Sequence, residues 1–184
     1  MDDNPPYDPR ILANLILSIR DGIGILTTQL EIQKLSFFCH ADWLRKTKEP
    51  LVGGYFEAWK HGPVHPTLYR EFKCYGDRPI DKLASSTDLL TGKRTSLPQM
   101  RNTHARQAVY ATVSALSAYD GPQLVGLSHK RGGAWDRTVN KGRTDIVLGM
   151  RIEDRVILES DRIRPVSTEP ERFSEDEISP FASD

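Results

Sequence analysis

TQLEIQKLSFFCHADWLRK, residues 28–46, decides how this chain folds. Thr28 and Glu31 stand three residues apart ahead of an apolar run. In that arrangement the hydroxyl and the carboxylate reciprocally satisfy the orphan N–H groups of a helix start. Leu30, Lys34, Phe37, Ala41 and Leu44 follow at helical spacing, with Ile32, Leu35, Phe38, Cys39 and Trp43 beside them. An apolar surface that wide needs neighbours on more than one side, so the spacing predicts a central helix over about 27–46. The fold class that follows is mainly α, a compact multi-helix single domain around that helix.

Outward toward the N-terminus, Ile11, Leu12, Leu15, Ile16 and Ile19 recur at three- and four-residue steps, predicting an amphipathic helix from Asp8 to Gly22. Residues 1–7 read as a flexible N-terminus ahead of a domain spanning 8–164. Toward the C-terminus, Pro50 and Gly53-Gly54 break the chain. Tyr55 to Lys60 alternates aromatic residues with Glu57 and Ala58, a short extended or β segment near 55–60 that Gly62-Pro63 should end. Pro66 suits a first helical position and Gly76 a position just past a helix end, giving a helix of about ten residues. Residues 77–90 read as irregular, with a turn opening at Ser85-Ser86-Thr87-Asp88, and Thr91 to Arg101 as a polar loop.

Asn102 or Thr103 should cap a helix reaching Tyr119. Asp120-Gly121-Pro122 then separates it from a short helix at Gln123–His129, and Ala134-Trp135 reads as a hydrophobic plug after Gly132-Gly133. Thr144-Asp145 caps a final helical region in which Ile146, Val147, Met150, Ile152, Val156 and Ile157 are apolar. From Pro165 onward Ser, Thr, Glu, Asp and Pro dominate, so 165–184 reads as a disordered acidic tail.

The 184 residues carry 25 Lys and Arg against 25 Asp and Glu. The balance hides an asymmetry. Residues 165–184 hold six acids (Glu169, Glu171, Glu175, Asp176, Glu177, Asp184) against Arg172, a net of −5 that leaves +5 on the rest. That is weaker than the basic stripe of a dedicated nucleic-acid binder and argues against nucleic-acid binding by the chain on its own. No run approaches the roughly 20 apolar residues that span a bilayer, and the acidic, Pro-rich start does not resemble a secretory signal. The expected location is the cytoplasm, with no membrane partner. In that reducing setting Cys39 and Cys74, both in apolar helical contexts, read as buried thiols.

Catalytic signatures are hard to find. His61 and His65 have the i, i+4 spacing of zinc ligands on a helix, but Pro63 and Pro66 oppose a helix there. Cys39 and His40 diverge by about 100° around a helix, which is wrong for a nucleophile and its base. Thr91-Gly92-Lys93-Arg94-Thr95 lacks both the earlier glycine and the hydroxyl after Lys of a phosphate loop. The reading is therefore of a protein that is not an enzyme, without cofactor or metal. A small metal or thiol hydrolase using His61, His65 and Cys74 is the weakest alternative. The densest cluster, FEAWKHGPVHPTLYREFKCYG at 56–76, reads instead as a rigid corner presenting aromatic and cationic groups. Leu68 and Phe72, with much of Trp59, should be core. Tyr55, Trp59, Lys60, His61, Pro63, His65, Tyr69 and Arg70 form the candidate binding set, with the loop at 129–137 a candidate extension.

Three runs carry a family resemblance: LEIQKLSFFCHADWL (30–44), KEPLVGGYFEAWKHGPVHPTLYREFKCYGDRPI (48–80) and LVGLSHKRGGAWDRTVN (124–140). Together they resemble the Panacea antitoxin-like domain, a phage-associated protein family, most specifically in Glu57-Ala58-Trp59 with Gly62-Pro63-Val64. The resemblance implies a mainly helical antitoxin of a toxin–antitoxin system that neutralises a cognate, co-encoded toxin by direct protein contact. One branch of the family is described as a proteolytic adaptor handing its toxin to a Clp-type AAA+ protease, which makes that protease a second implied partner.

Overall fold

The computed structural model describes residues 4–88, 90–141 and 149–162. The expected tail at 165–184 and the Thr144-Asp145 cap with Ile146 and Val147 lie outside them.

Helix α2 (Gln29–Thr47) is the axis of the molecule, and every residue from Glu31 to Ala41 is buried. Its start is the predicted reciprocal cap: Thr28 Oγ1 accepts from the Glu31 N–H at 3.3 Å, and Glu31 Oε2 accepts from the Thr28 N–H at 2.8 Å. Helix α1 (Pro9–Asp21), capped by Asp8, lays Leu12, Ala13, Ile16 and Leu17 into the core and packs along α2. Where the two helices meet, Arg20 Nη2 and Glu31 Oε1 form a buried ion pair at 2.9 Å, and Arg20 Nε donates to Thr27 Oγ1.

Strands β1 (Phe56–Trp59) and β2 (Gly62–Val64) form an antiparallel hairpin joined by Lys60-His61, with Trp59 opposite Gly62 and Glu57 opposite Val64. Gly62-Pro63 therefore opens the return strand instead of ending the extended segment. Pro63 is tolerated because β2 is an edge strand, where a missing N–H breaks no inner ladder. Helix α3 (Pro66–Phe72) follows, then a 3₁₀ turn over Lys73–Tyr75 that closes at Gly76. Leu68 and Phe72 are fully buried, as their spacing predicted.

Residues 77–101, expected to be irregular, contain a second hairpin, β3 (Ser85–Thr87) with β4 (Arg94–Ser96). Its strands are polar throughout, so no alternation of apolar and polar residues marked them. Helix α4 (Thr103–Ala115), capped by Asn102, packs Ala105, Val109 and Val113 onto α2 and α1. A reciprocal cap between Asp120 and Gln123 opens α5 (Gly121–Ser128). Ala134-Trp135 begins α6 (Ala134–Lys141).

The last region departs most from its sequence reading. Met150–Ile152 is a strand, β5, antiparallel to β1 with Phe56 opposite Ile152 and Glu57 opposite Arg151, and only then comes α7 (Asp154–Glu159). Sheet pairing with β1 overrides the helical spacing there. β1 is thus the centre of a three-stranded sheet ordered β2-β1-β5. Two smaller expectations also change. Tyr7, assigned to a flexible end, is buried and bonds its backbone to Leu51 and Gly53, so the ordered body begins before residue 8. Cys39 is buried, but Cys74 is exposed because it sits on the 3₁₀ turn beyond the buried face of α3.

Candidate functional site

The 52–65 segment lies over the middle of α2, and the polar residues of that helix hold it there. Gln33 Oε1 accepts from the His65 N–H at 2.8 Å, and Lys34 Nζ donates to the Pro63 carbonyl at 2.9 Å. His40 Nδ1 accepts from the Val52 N–H at 3.5 Å while its Nε2 faces Asp154 Oδ1 on α7 at 3.4 Å. Each of these α2 side chains is buried, and each meets a backbone group of the loop or hairpin, as buried polar atoms require.

Phe56 seals the underside. Its ring meets Phe37 edge-on at 5.3 Å, His65 edge-on at 5.2 Å and His40 at 5.4 Å. His65 caps α3 by accepting from the Thr67 N–H through Nδ1, which leaves Nε2–H to donate to the Gly53 carbonyl at 3.0 Å. Burial, partly countered by the bond to Gly53, holds this imidazole below its ordinary pKa, matching the neutral tautomer that the cap needs. Burial likewise pulls the Lys34 ammonium down to about 7.

Gly62 is required where β2 begins. Its φ is +90°, and a Cβ there would collide with Ser128 Oγ on α5 and lie 3.1 Å from Lys34 Cε. Gly54, at φ +86°, allows the His65 ring to pass within 2.9 Å of where a Cβ would stand.

On the outward side the same hairpin presents its rings. Trp59 packs against Tyr69 of α3 with centroids 4.8 Å apart, and its Nε1–H donates to Glu57 Oε2 at 2.7 Å. The Trp59 carbonyl accepts from Trp135 Nε1 at 2.9 Å, and Trp135 is stacked on His129 at 3.7 Å. Burial and the neighbouring charges of Lys34 and His61 push the His129 pKa down. Tyr55 is 43% exposed, with the Arg151 guanidinium 5.2 Å from its ring centroid. Lys60 and His61 form the exposed tip, and Arg70 is exposed on α3.

The predicted set therefore splits. Tyr55, Trp59, Lys60, His61, Tyr69 and Arg70 reach the surface of one corner. Pro63 and His65 are buried, so their side chains are not available for contact, because β2 and the α3 cap are clamped to α2. The hydrolase alternative loses its geometry. His65 has both ring nitrogens engaged, and His61 lies four residues away along roughly 13 Å of extended chain.

Sequence reasoning missed Gln33, Lys34 and His40 as the frame and Arg151 as a neighbour of the face, whereas His129 and Trp135 fall in the 129–137 loop expected as an extension. The first three carried a signal: polar residues inside a helix expected to be buried all round must find partners. Arg151 carried none, because its place depends on a strand pairing almost a hundred residues away in sequence. Chemically the corner offers ring faces and cations on a stiff support, suited to gripping another macromolecule.

Over residues 32–136 the chain matches the family described as antitoxin SocA-like, Panacea domain. It is 36% identical over 165 residues to antitoxin SocA of Caulobacter vibrioides (strain NA1000 / CB15N), covering 90% of this chain and 88% of that protein. No solved structure matches the chain.

Proposed function

The chain belongs to the SocA-like, Panacea-domain antitoxin family, and on that premise we propose that it neutralises a co-encoded toxin by direct protein binding through the corner around Trp59. One observation carries the choice of surface. Trp59 is fixed through its ring against Tyr69, its indole N–H on Glu57 and its carbonyl on Trp135. A tryptophan immobilised beforehand loses little entropy on binding, which is what lets one residue dominate an interface. Lys60, His61, Arg70 and Arg151 surround it with exposed positive or titratable groups, favouring a partner surface with carboxylates.

Expression of the toxin with the wild-type protein should restore growth and yield a copurifying complex. Trp59→Ala with Lys60→Glu should abolish both while the variant stays folded. Full rescue by that variant, with the complex intact, would remove the corner from the proposal.

Among the described residues no helix is long and apolar enough to cross a membrane. We place the encounter in the cytoplasm, where a Clp-type AAA+ protease would also be met. Toxin half-life with and without the protease separates inhibition alone from adaptor-assisted degradation.

A further inference from the structure

A second surface runs along α1. The outward side of α1 and the 83–100 segment enclose an open cavity of about 400 Å³ lined by Ile11, Leu15, Leu83, Leu97 and Met100. It continues past Ser18 and Leu83 into a second cavity of about 440 Å³ bounded by Leu17, Leu26 and Ile80. Leu83 and Leu26, 57% and 68% exposed, stand open along this groove.

The segment bordering the first cavity is basic, while Asp21 and Asp81 stand at the second. Residues 82–106 carry Lys82, Lys93, Arg94, Arg101 and Arg106 against Asp88 alone. All five cations are exposed, and among the described residues none pairs with a carboxylate. An occupant should therefore combine large apolar side chains with several acids.

Such a segment exists in the same chain. Residues 163–184 hold Phe173, Ile178 and Phe181 among Glu169, Glu171, Glu175, Asp176 and Glu177. Its attachment point is well placed. Arg162 Nε lies 3.6 Å from Asp42 Oδ1, and Asp42 Oδ2 accepts from Thr112 Oγ1 at 3.2 Å, so the chain leaves beside the C-terminal part of α4. From Thr112 to the Asn102 cap, next to Met100 and Arg101, is about 15 Å along the helix. Phe173 and Ile178 follow Arg162 by 11 and 16 residues, enough chain to reach roughly 35–50 Å. Tethering also sets an effective concentration on the order of millimolar, well above that of a second copy in dilute solution.

We propose that the acidic segment 163–184 docks in cis on the α1 groove, Phe173, Ile178 and Phe181 covering its apolar floor while the acids face the cations at 82–106.

The test uses the full chain carrying a nitroxide at Ser179→Cys in a Cys74→Ser background; buried Cys39, its thiol pKa raised by burial, stays unlabelled. Docking should reduce the amide signals of Leu15, Leu83 and Leu97 to below half of their values with the nitroxide reduced. The loss should persist on tenfold dilution. It should reverse at least twofold in 0.5 M salt or with Lys93→Glu and Arg94→Glu, both on the exposed hairpin. Broadening at Trp59 and Tyr69, or at no site, would overturn the proposal. Broadening at the groove that vanishes on dilution would overturn it too, assigning the groove to a second copy. The readout needs no toxin, so it stands apart from the fate of the Trp59 corner.

Discussion

Lys34 shows how a single side chain joins the core to the Trp59 corner. Its stem is buried beside Gly62 of the hairpin, and its Nζ donates to the Pro63 carbonyl at 2.9 Å. The folded pKa of about 7 lies below the ordinary 10.5, so as pH falls from 10.5 the unfolded chain takes up the proton first. The stability that the neutral amine contributes is complete above pH 10.5 and is lost as pH falls toward 7, by about 1.4 kcal/mol per pH unit. The difference in unfolding free energy between wild type and Lys34→Met should therefore shift steadily in favour of the variant on going from pH 10.5 to 7 and stay constant below. A difference independent of pH across that window would show the amine to be charged and compensated. Gly62→Ala should destabilise by about 2 kcal/mol, from the left-handed backbone and the collision with Ser128, measured as a lower urea midpoint at unchanged slope. In the sequence Lys34 lay on the apolar stripe of the central helix, which showed its burial but not its bond.

Helix starts were the most legible elements, because a cap is written in adjacent residues. The Thr28–Glu31 box, Pro66 and the Asp120-Gly121-Pro122 junction all occur where spacing placed them. The Glu31 carboxylate also faces the buried Arg20, so Glu31→Gln should cost about 3–5 kcal/mol, the range for breaking a buried pair, well beyond the ~1 kcal/mol of a lost cap. Thermal unfolding separates the two magnitudes. α3 depends on His65 in the same way. Its folded pKa is depressed, so the stability it contributes is present above the ordinary 6.5 and is lost as pH falls through the folded value. His65→Asn, which keeps a capping acceptor but cannot take up a proton, should flatten the acid limb of the stability curve below pH 6.5. The strands were less legible. β3 and β4 are polar and three residues each, and β5 carries apolar residues at helical spacing until β1 claims it.

For the molecule as a whole, the mainly helical architecture and its central helix followed from the width of one apolar surface, and α2 is indeed packed by α1, α4, α5 and α7. The Trp59 corner was legible as a cluster but not as a geometry. Composition could not tell the inward His65 and Pro63 from the outward Lys60 and Arg70, since that division depends on which face of the hairpin meets α2. The α1 groove was not legible at all: it requires a hairpin with no sequence signature to stand beside a helix seventy residues earlier. The proposed recognition by a preformed corner rests on buried polar side chains of α2 setting the hairpin and on the hairpin setting Trp59. The most direct test is calorimetric titration of the purified cognate toxin into wild type and into Trp59→Ala, with thermal unfolding as a control on the fold. A loss of at least 2 kcal/mol in binding, roughly thirtyfold in Kd, with the variant still cooperatively folded, is the predicted result. Equal affinity of the two proteins would contradict it.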